Sequence, residues 1–226
     1  MIQTRTDGGV RTITLDRPGR RNALTHEGLD DLDAAVNRAG EPVLFLTGAG
    51  EAFCAGADLD VVRSLAADEA AEFARQGQRV ARAIEDYDGA VVAGIDGAAR
   101  GGGVELALAC DVRVATPDAT LAESGVSLGL FGAWGGTARL ARIVGQGEAM
   151  DLALSGRVLD AEEAKQMGLV SRVTADTVAV AHEIAANDPA AVRKIKKLLQ
   201  AEGTREARER QEADAFRELI GEFNSK

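Results

Sequence analysis

The spacing of hydrophobic residues changes along the chain, from mixed strand and helix patterns to helix patterns alone. Residues 10–15 alternate apolar and polar, which predicts a strand with one buried face. Residues 43–47 and 91–95 are short apolar runs that border glycines, as buried strands often do. Between these runs, apolar residues recur at helical spacing in residues 29–36 and 66–87. This order predicts an α/β fold in which a strand, a glycine turn and a helix recur.

The last third of the chain has helical spacing. The pattern predicts helices over residues 161–167, 178–186, 190–201 and 205–223. Pro189 marks the clearest boundary, because proline interrupts a helix but is tolerated in its first turn. We therefore divide the chain into a core of residues 1–188 and a C-terminal helical region of residues 189–226.

Composition and charge narrow the class of protein. A length of 226 residues is enough for one substantial core, and the net charge of −10 argues against a nucleic-acid surface. We expect no membrane span, because no apolar run reaches about 18 residues. No signal peptide is visible, so we expect a cytoplasmic protein. Cys54 and Cys110 lack partners at metal-ligand spacing; we interpret both as buried apolar side chains and expect no metal site.

Residues 101–110 carry the strongest chemical signal. Three glycines follow a predicted strand and open an apolar helix, in which Glu105 is the only charge between Arg100 and Asp111. A buried carboxylate is unfavourable unless it is satisfied or used. Glycines allow a ligand to approach the backbone closely, and the N–H groups at a helix start favour negative charge. The stretch therefore indicates oxyanion donors beside an acid/base, as acyl or enolate chemistry requires.

Two other motifs give weaker signals. A dinucleotide-binding fingerprint fails, because its third glycine would fall on Leu106. Residues 125–129 match G-x-S-x-G, which makes Ser127 a candidate serine-hydrolase nucleophile. That motif needs a strand before it and a helix after it, and the only downstream histidine is His182 in the helical tail. Ser127 stays a remote alternative.

Several motifs in order resemble the enoyl-CoA hydratase/isomerase (crotonase) family. The first is residues 53–59 (FCAGADL), and the second is residues 101–111 (GGGVELALACD). The likeness extends to LDRP at 15–18, NAL at 22–24, LGL at 128–130, GGT at 135–137, AEEA at 161–164 and GLV at 168–170. It covers about residues 10 to 175.

The resemblance implies a fold, an assembly and a site. It implies a crotonase-like spiral of ββα units followed by C-terminal helices that build a homotrimer or a dimer of trimers. It implies that the backbone N–H groups of Ala57 and Gly102 hold the thioester oxygen of an acyl-CoA, and that Glu105 is a catalytic acid/base. CoA is part of the substrate, and no separate cofactor is expected.

The resemblance also implies substrate contacts. The loop around residues 55–58 would contact the CoA adenine through its backbone, Arg21 is a candidate for the CoA phosphates, and Trp134 adds bulk near the acyl group. The full set of substrate-binding candidates is Arg21, Ala55, Gly56, Ala57, Asp58, Leu59, Gly101, Gly102, Gly125 and Trp134.

The chain departs from the family pattern at one catalytic position. Hydratases carry a second glutamate where this sequence has Gly125. Glu123 lies two residues earlier, and in an extended segment residues 123 and 125 would point to the same side, about 6.5–7 Å apart. We therefore include Glu123 as a second catalytic candidate.

The most direct functional hypothesis is hydration of an enoyl-CoA thioester, with Glu105 as acid/base. Other reactions of the family stay open, namely decarboxylation, hydrolysis and isomerisation. A protein that binds acyl-CoA without turnover also stays open, because the expected second glutamate is absent.

Overall fold

The computed structural model describes residues 1–224, which form strands and helices in alternation. The strands are β1 (Ile2–Asp7), β2 (Val10–Leu15), β3 (Val43–Gly48), β4 (Ala90–Ile95), β5 (Ala98–Arg100), β6 (Val112–Ala115), β7 (Thr120–Ala122), β8 (Leu159–Asp160) and β9 (Arg172–Val173). The helices are α1 (His26–Asn37), α2 (Leu59–Ser64), α3 (Ala67–Glu85), α4 (Gly102–Ala109), α5 (Gly136–Val144), α6 (Gln146–Ser155), α7 (Ala161–Gln166), α8 (Val178–Ala185), α9 (Pro189–Gln200) and α10 (Arg205–Phe223). Two short 3₁₀ segments span Pro18–Arg20 and Ser124–Leu128.

The larger sheet has six strands in the order β1-β2-β3-β4-β6-β9. β1 and β2 are antiparallel, and every later pair is parallel. The central strands β3 and β4 are almost wholly apolar because helices cover both faces of a parallel sheet. The strands predicted at residues 10–15, 43–47 and 91–95 are confirmed to within one residue.

A second, smaller sheet has three strands in the order β5-β7-β8. β7 pairs with β5 in parallel and with β8 in antiparallel fashion. Isolated parallel bridges join Leu24 to Ala57 and Cys54 to Ala99. Each turn of the chain thus contributes one strand to the large sheet and one extended segment to the small sheet before its helix. The α/β spiral of ββα units is confirmed.

Two helices pack the core beside these sheets. Thr25 caps α1 by accepting a hydrogen bond from the Gly28 N–H, as expected for this residue before a helix. The apolar positions of the two helices that the helical spacing selected are buried in one cluster: Leu29, Leu32, Val36, Phe73, Val80 and Ile84. The helix expected over residues 66–87 is α3, which ends two residues earlier.

The expectation of helices alone in the last third is wrong at two places. β8 and β9 are strands of two residues each, and they pair with β7 and β6. Two residues are too few to show the alternation of apolar and polar positions that predicts a strand. These segments are strands because they pair with β7 and β6.

The C-terminal helices follow the predicted bounds closely. Asp188 caps α9, whose first residue is Pro189. Lys196 of α9 donates to the carbonyl oxygens of Tyr87 and Gly89 and forms an ion pair with Asp111 at 2.9 Å, which joins α9 to the core. The division at residue 188 and the oligomerisation role stay predictions, and residues 225 and 226 lie outside the described part of the chain. Among residues 1–224, no helix is long and apolar enough to span a bilayer.

Candidate active site

Two glycine turns lie side by side at the centre of the molecule. The Arg100 N–H donates to the Cys54 carbonyl at 2.9 Å, so the chain before α4 runs next to the chain before α2. Gly56 has a φ of +85°, and a Cβ there would lie 2.8 Å from the Gly102 nitrogen. Position 56 therefore requires glycine both for its backbone conformation and for the close approach of the two turns.

Ala57 and Gly102 line the same cavity. Neither donates a backbone hydrogen bond within residues 1–224, and both residues line a cavity of about 350 Å³. Gly102 is also the first residue of α4, where the helix dipole favours negative charge. The pair has the chemistry of an oxyanion hole.

The wall of this cavity is mainly apolar. Its larger apolar residues include Leu59, Val62, Phe73, Leu130, Phe131 and Trp134. Glu105 is the one carboxylate among the residues that line it. The cavity can thus hold an apolar chain with one acid/base group beside it.

Glu105 is held through one oxygen only. Its Oε1 accepts hydrogen bonds from the N–H groups of Trp134 at 2.9 Å and Gly136 at 2.6 Å. Its Oε2 is buried and has no hydrogen-bond partner within residues 1–224, and the residue is 1% exposed. Burial raises the pKa of the Glu105 carboxyl, while the two N–H donors and the positive charge of Arg139 oppose the rise.

Glu123, the residue after β7, lies close to Glu105. A Cβ at Gly132 would lie 2.7 Å from Glu105 Oε2 and 3.0 Å from Glu123 Oε2, so the two oxygens are no farther apart than these distances together. Both carboxyl groups line a cavity of about 40 Å³. Burial, and then the nearby Glu105 charge, raise the pKa of Glu123 to about 8. Like charges this close favour one shared proton.

The extended geometry expected around Glu123 is wrong. Residues 124–128 form a 3₁₀ helix, and Glu123 precedes its first residue. Glu123 nevertheless lies close to Glu105, because β7 ends at Ala122 beside Arg100 of β5. Sheet pairing, rather than alternation along an extended segment, places the second carboxylate.

The comparisons with known proteins point one way. The family described as enoyl-CoA hydratase/isomerase matches residues 5–226. YngF of Bacillus subtilis, named for this family, is 43% identical over 195 residues, or 81% of this chain and 75% of YngF. The short-chain-enoyl-CoA hydratase of Clostridium acetobutylicum is 34% identical over 85% of this chain and 78% of its own length. The crystal structure of enoyl-CoA hydratase from Bacillus anthracis has a TM-score of 0.92 and 32% identity, with 97% of this chain and 91% of that chain covered.

The chain belongs to the enoyl-CoA hydratase/isomerase family.

Most of the residues selected from the family motifs come together in the 350 Å³ cavity. Those lining it are Ala55, Ala57, Leu59, Gly101, Gly102, Glu105, Gly125 and Trp134. Gly56 is not among the lining residues, but it packs against Arg100 and Gly102 in the turn before α2. Arg21 is exposed, and its carbonyl oxygen accepts from the Ala55 N–H at 2.9 Å, which places Arg21 next to the loop.

Asp58 differs from the other candidates. Its carboxylate caps α2, binds Arg17 at 2.5 Å and forms an ion pair with Arg20, while its N–H donates to the Leu24 carbonyl. Burial alone would raise its pKa, but the Arg17 hydrogen bond, the Asp60 N–H and the two arginine charges lower it to about 2. Asp58 therefore stabilises the turn, and its side chain and N–H are already occupied within the protein.

Trp134 shapes the cavity from the loop before α5. Its ring packs edge-on against Phe73, with the ring centroids 6.1 Å apart. A Cβ at Gly77 or at Gly102 would overlap the ring. Two glycines on different helices are therefore needed to seat this one side chain.

Ser127 does not have the environment of a nucleophile. It is exposed in the 3₁₀ segment, and its hydroxyl donates to the Ser124 carbonyl at 2.8 Å. His182 lies near Gly8, and His26 is hydrogen-bonded to Gln76. The described contacts do not support the serine-hydrolase alternative, because no hydrogen bond within residues 1–224 joins Ser127 to a histidine.

Asn22 supports the site in a way that the sequence pattern did not reveal. It is buried with a φ of +58°, and its Nδ2 donates to the carbonyl oxygens of Ala49 and Ala52 at 2.9 and 2.7 Å. Its Oδ1 accepts from the Arg17 N–H. The NAL motif singled out this position, but only the fold shows that Asn22 fixes the loop before Cys54. Arg139 was also missed, because an arginine in an amphipathic helix is usually solvent-exposed.

Proposed function

We propose that the protein is an enoyl-CoA hydratase that adds water across the 2,3 double bond of an enoyl-CoA thioester. The observation that carries the proposal is the buried Glu105 and the half-buried Glu123, each with one buried oxygen that has no hydrogen-bond partner among residues 1–224. They lie near Ala57 and Gly102, whose N–H groups donate no backbone hydrogen bond within the same residues. Relatives named as enoyl-CoA and crotonyl-CoA hydratases support the same reaction.

The thioester oxygen would lie between the N–H groups of Ala57 and Gly102. When water adds to the β carbon, negative charge develops on this oxygen as the enolate forms. Preorganised donors at such a position are typically worth about 10²–10³ each in rate. A side chain at position 102 would displace the Trp134 ring that borders this site.

The carboxyl pair would move the protons. The raised pKa of Glu123, about 8, keeps that group protonated at neutral pH. In this proposal Glu105 is the ionised partner, so the pair begins with one proton. Glu105 takes a proton from the attacking water through its unpaired Oε2, and the pair returns one proton to the α carbon. The pair ends with the single proton with which it began, so the hydroxyl and the hydrogen of water are both accounted for.

Glu123 takes the part of the family's second glutamate in this proposal. Gly125 occupies that glutamate's position and has no side chain to offer. The 40 Å³ cavity that joins Glu123 to Glu105 has room for a water molecule, so the two groups can exchange a proton directly or through one water.

Crotonyl-CoA hydration tests the proposal. We expect Glu105→Gln to lower kcat by about 10²–10⁴ and to retain acyl-CoA binding, as loss of a general acid/base predicts. Glu123→Gln is expected to lower kcat as well, whereas Glu72→Gln, a change to an exposed carboxylate on α3, leaves it unchanged. Hydration by Glu105→Gln at the wild-type rate would reject the proposal.

A substrate panel separates hydration from the other reactions of the family. Isomerisation, decarboxylation and thioester hydrolysis can also use an enolate or oxyanion held at Ala57 and Gly102. Activity of the wild type on a 3-enoyl-CoA or a malonyl-type thioester, with none on a 2-enoyl-CoA, would replace hydration by that reaction. Binding of acyl-CoA with no turnover of any substrate would identify a binding protein.

Assembly as a homotrimer or a dimer of trimers, in the cytoplasm, is part of the same proposal. The C-terminal helices carry exposed large apolar residues that a partner subunit could cover, namely Ile195, Leu199, Phe216, Ile220 and Phe223. Light scattering on the purified protein measures the assembly. A monomer at micromolar concentration would contradict it.

A further inference from the structure

Arg139 lies behind the candidate active site, at the end of the first turn of α5. Its side chain is only 9% exposed, and its Nε and Nη2 both donate to Oε2 of Glu85, at 3.1 and 2.6 Å. Its Nη1 donates to the Trp134 carbonyl at 3.2 Å. One buried guanidinium thus joins α3 to the loop that precedes α5.

The loop held by Arg139 is the loop that holds Glu105. The Trp134 and Gly136 N–H groups, on either side of Gly135, both donate to Glu105 Oε1. Gly135 has a φ of +95°, and a Cβ there would lie 2.5 Å from Arg139 Nη1. The turn is therefore fitted around the guanidinium on one face and around the carboxylate on the other.

We propose that Arg139, anchored by Glu85, is a positioning residue for Glu105. By holding the Trp134 carbonyl, it fixes the turn so that two N–H groups occupy Oε1 and Oε2 alone is left for the reaction. This inference rests on the proposed role of Glu105 as the acid/base. Arg139 itself does not line the substrate cavity.

Charge gives Arg139 a second effect on the same group. Burial raises the pKa of Glu105, and the Arg139 charge opposes that rise. Among the described residues, Glu123 lines a small cavity with Glu105, and its pKa is itself raised by burial and by Glu105. Arg100 lines the larger cavity with Glu105, and its side chain donates to the Ala99 and Thr120 carbonyls. Around Arg139 lie Glu85, Arg82 and Arg142, which line a surface pocket behind Trp134.

Three variants separate geometry from charge. Arg139→Gln removes the charge and the paired hydrogen bonds, whereas Arg139→Lys retains a charge but cannot bind Glu85 and Trp134 together. Arg142→Gln is the matched control, because Arg142 binds the same Glu85 from the solvent side, with 66% of its side chain exposed. Thermal unfolding of each variant establishes that it is folded.

The expected kinetic result is a fall in kcat with little change in KM. Misplacement of a catalytic group by about 1 Å can lower the rate by about 10²-fold, so we expect a loss of this order in Arg139→Gln. We also expect the acidic limb of its kcat profile to move to higher pH, and this shift to be smaller in Arg139→Lys. Arg142→Gln should retain the wild-type profile. Equal profiles for Arg139→Gln and Arg142→Gln would overturn the proposal.

A measurement without turnover separates this inference from the proposed function. The carboxyl ¹³C signal of Glu105, assigned by its loss in Glu105→Gln, is titrated in the wild type and in Arg139→Gln. A higher midpoint in Arg139→Gln supports the coupling even if the wild type hydrates no substrate. An unchanged midpoint together with unchanged kcat overturns it, whatever reaction the protein catalyses.

Discussion

Gly102 lies against the Trp134 ring so closely that a Cβ on residue 102 would overlap the six-membered part of the ring. The residue that offers an N–H group to the cavity is therefore also the residue that seats the bulkiest side chain of the cavity wall. Glycine is required at position 102 for packing, independently of any ligand.

We expect Gly102→Ala to displace the ring and to lower the free energy of unfolding by about 1–3 kcal/mol, as overpacking of a core does. Urea unfolding followed by tryptophan fluorescence measures both effects, because Trp134 is the one tryptophan of the chain. Gly147→Ala is the control, since a Cβ at that helical position meets nothing within 4 Å. It is expected to be neutral or to stabilise by about 0.5 kcal/mol. Equal effects of the two changes would contradict the packing argument.

The raised pKa of Glu123 predicts how stability depends on pH. Between its ordinary value of 4.5 and about 8, the folded state keeps a proton that the unfolded state has released. The contribution of Glu123 to stability is therefore fully present below its ordinary pKa and is lost as pH rises towards 8, by at most about 1.4 kcal/mol per pH unit. Glu123→Gln lacks this proton, so its stability relative to the wild type is expected to increase from pH 5 to pH 8.

Denaturant unfolding at several pH values measures that difference. Glu72→Gln is a suitable control, because hydrogen bonds from Arg75 and Arg79 lower the pKa of Glu72. This control should show no gain as pH rises. A constant difference between Glu123→Gln and the wild type over this range would mean that Glu123 is ionised in the folded protein.

The Glu123 carboxyl also predicts that kcat falls at basic pH. Above about pH 8 Glu123 loses its proton, so the carboxyl pair no longer begins the reaction with the proton that the proposed mechanism requires. We expect the wild-type kcat to fall through this range and this basic limb to be absent from the residual activity of Glu123→Gln. A limb at the same pH in both proteins would assign it to another group.

Asn22 predicts a stability effect that depends on one atom. In Asn22→Asp, an oxygen replaces the nitrogen that donates to the Ala49 and Ala52 carbonyls. A buried acceptor that faces acceptors costs about 1–3 kcal/mol, and more when it is charged. We therefore expect a loss of at least about 3 kcal/mol at neutral pH, and a smaller loss when the new carboxyl is protonated. Equal losses of unfolding free energy at neutral pH and at the pH where the new carboxyl is protonated would show that the site tolerates the charge.

Part of the site follows from the sequence because the signal is local. The three glycines at residues 101–103, followed by a lone Glu105 in an apolar helix, are neighbours along the chain. Their spacing predicts a helix start with a carboxylate in its first turn, and α4 has that form. The strands at residues 43–47 and 91–95 are predictable for the same reason, since a short apolar run near glycines is typical of a buried strand.

What only the tertiary structure decided are the contacts between distant segments. Glu123 reaches Glu105 because β7 pairs with β5, although the segment after it is a 3₁₀ helix. Arg139 is buried because Glu85, on a helix 54 residues earlier, binds it. The sequence by itself determined the family, the strands at residues 10–15, 43–47 and 91–95, most of the helices, and the place of Glu105 in the first turn of α4. The fold decided the second carboxylate and the support of the first, since both depend on distances across the sheets and helices that no spacing along the chain records.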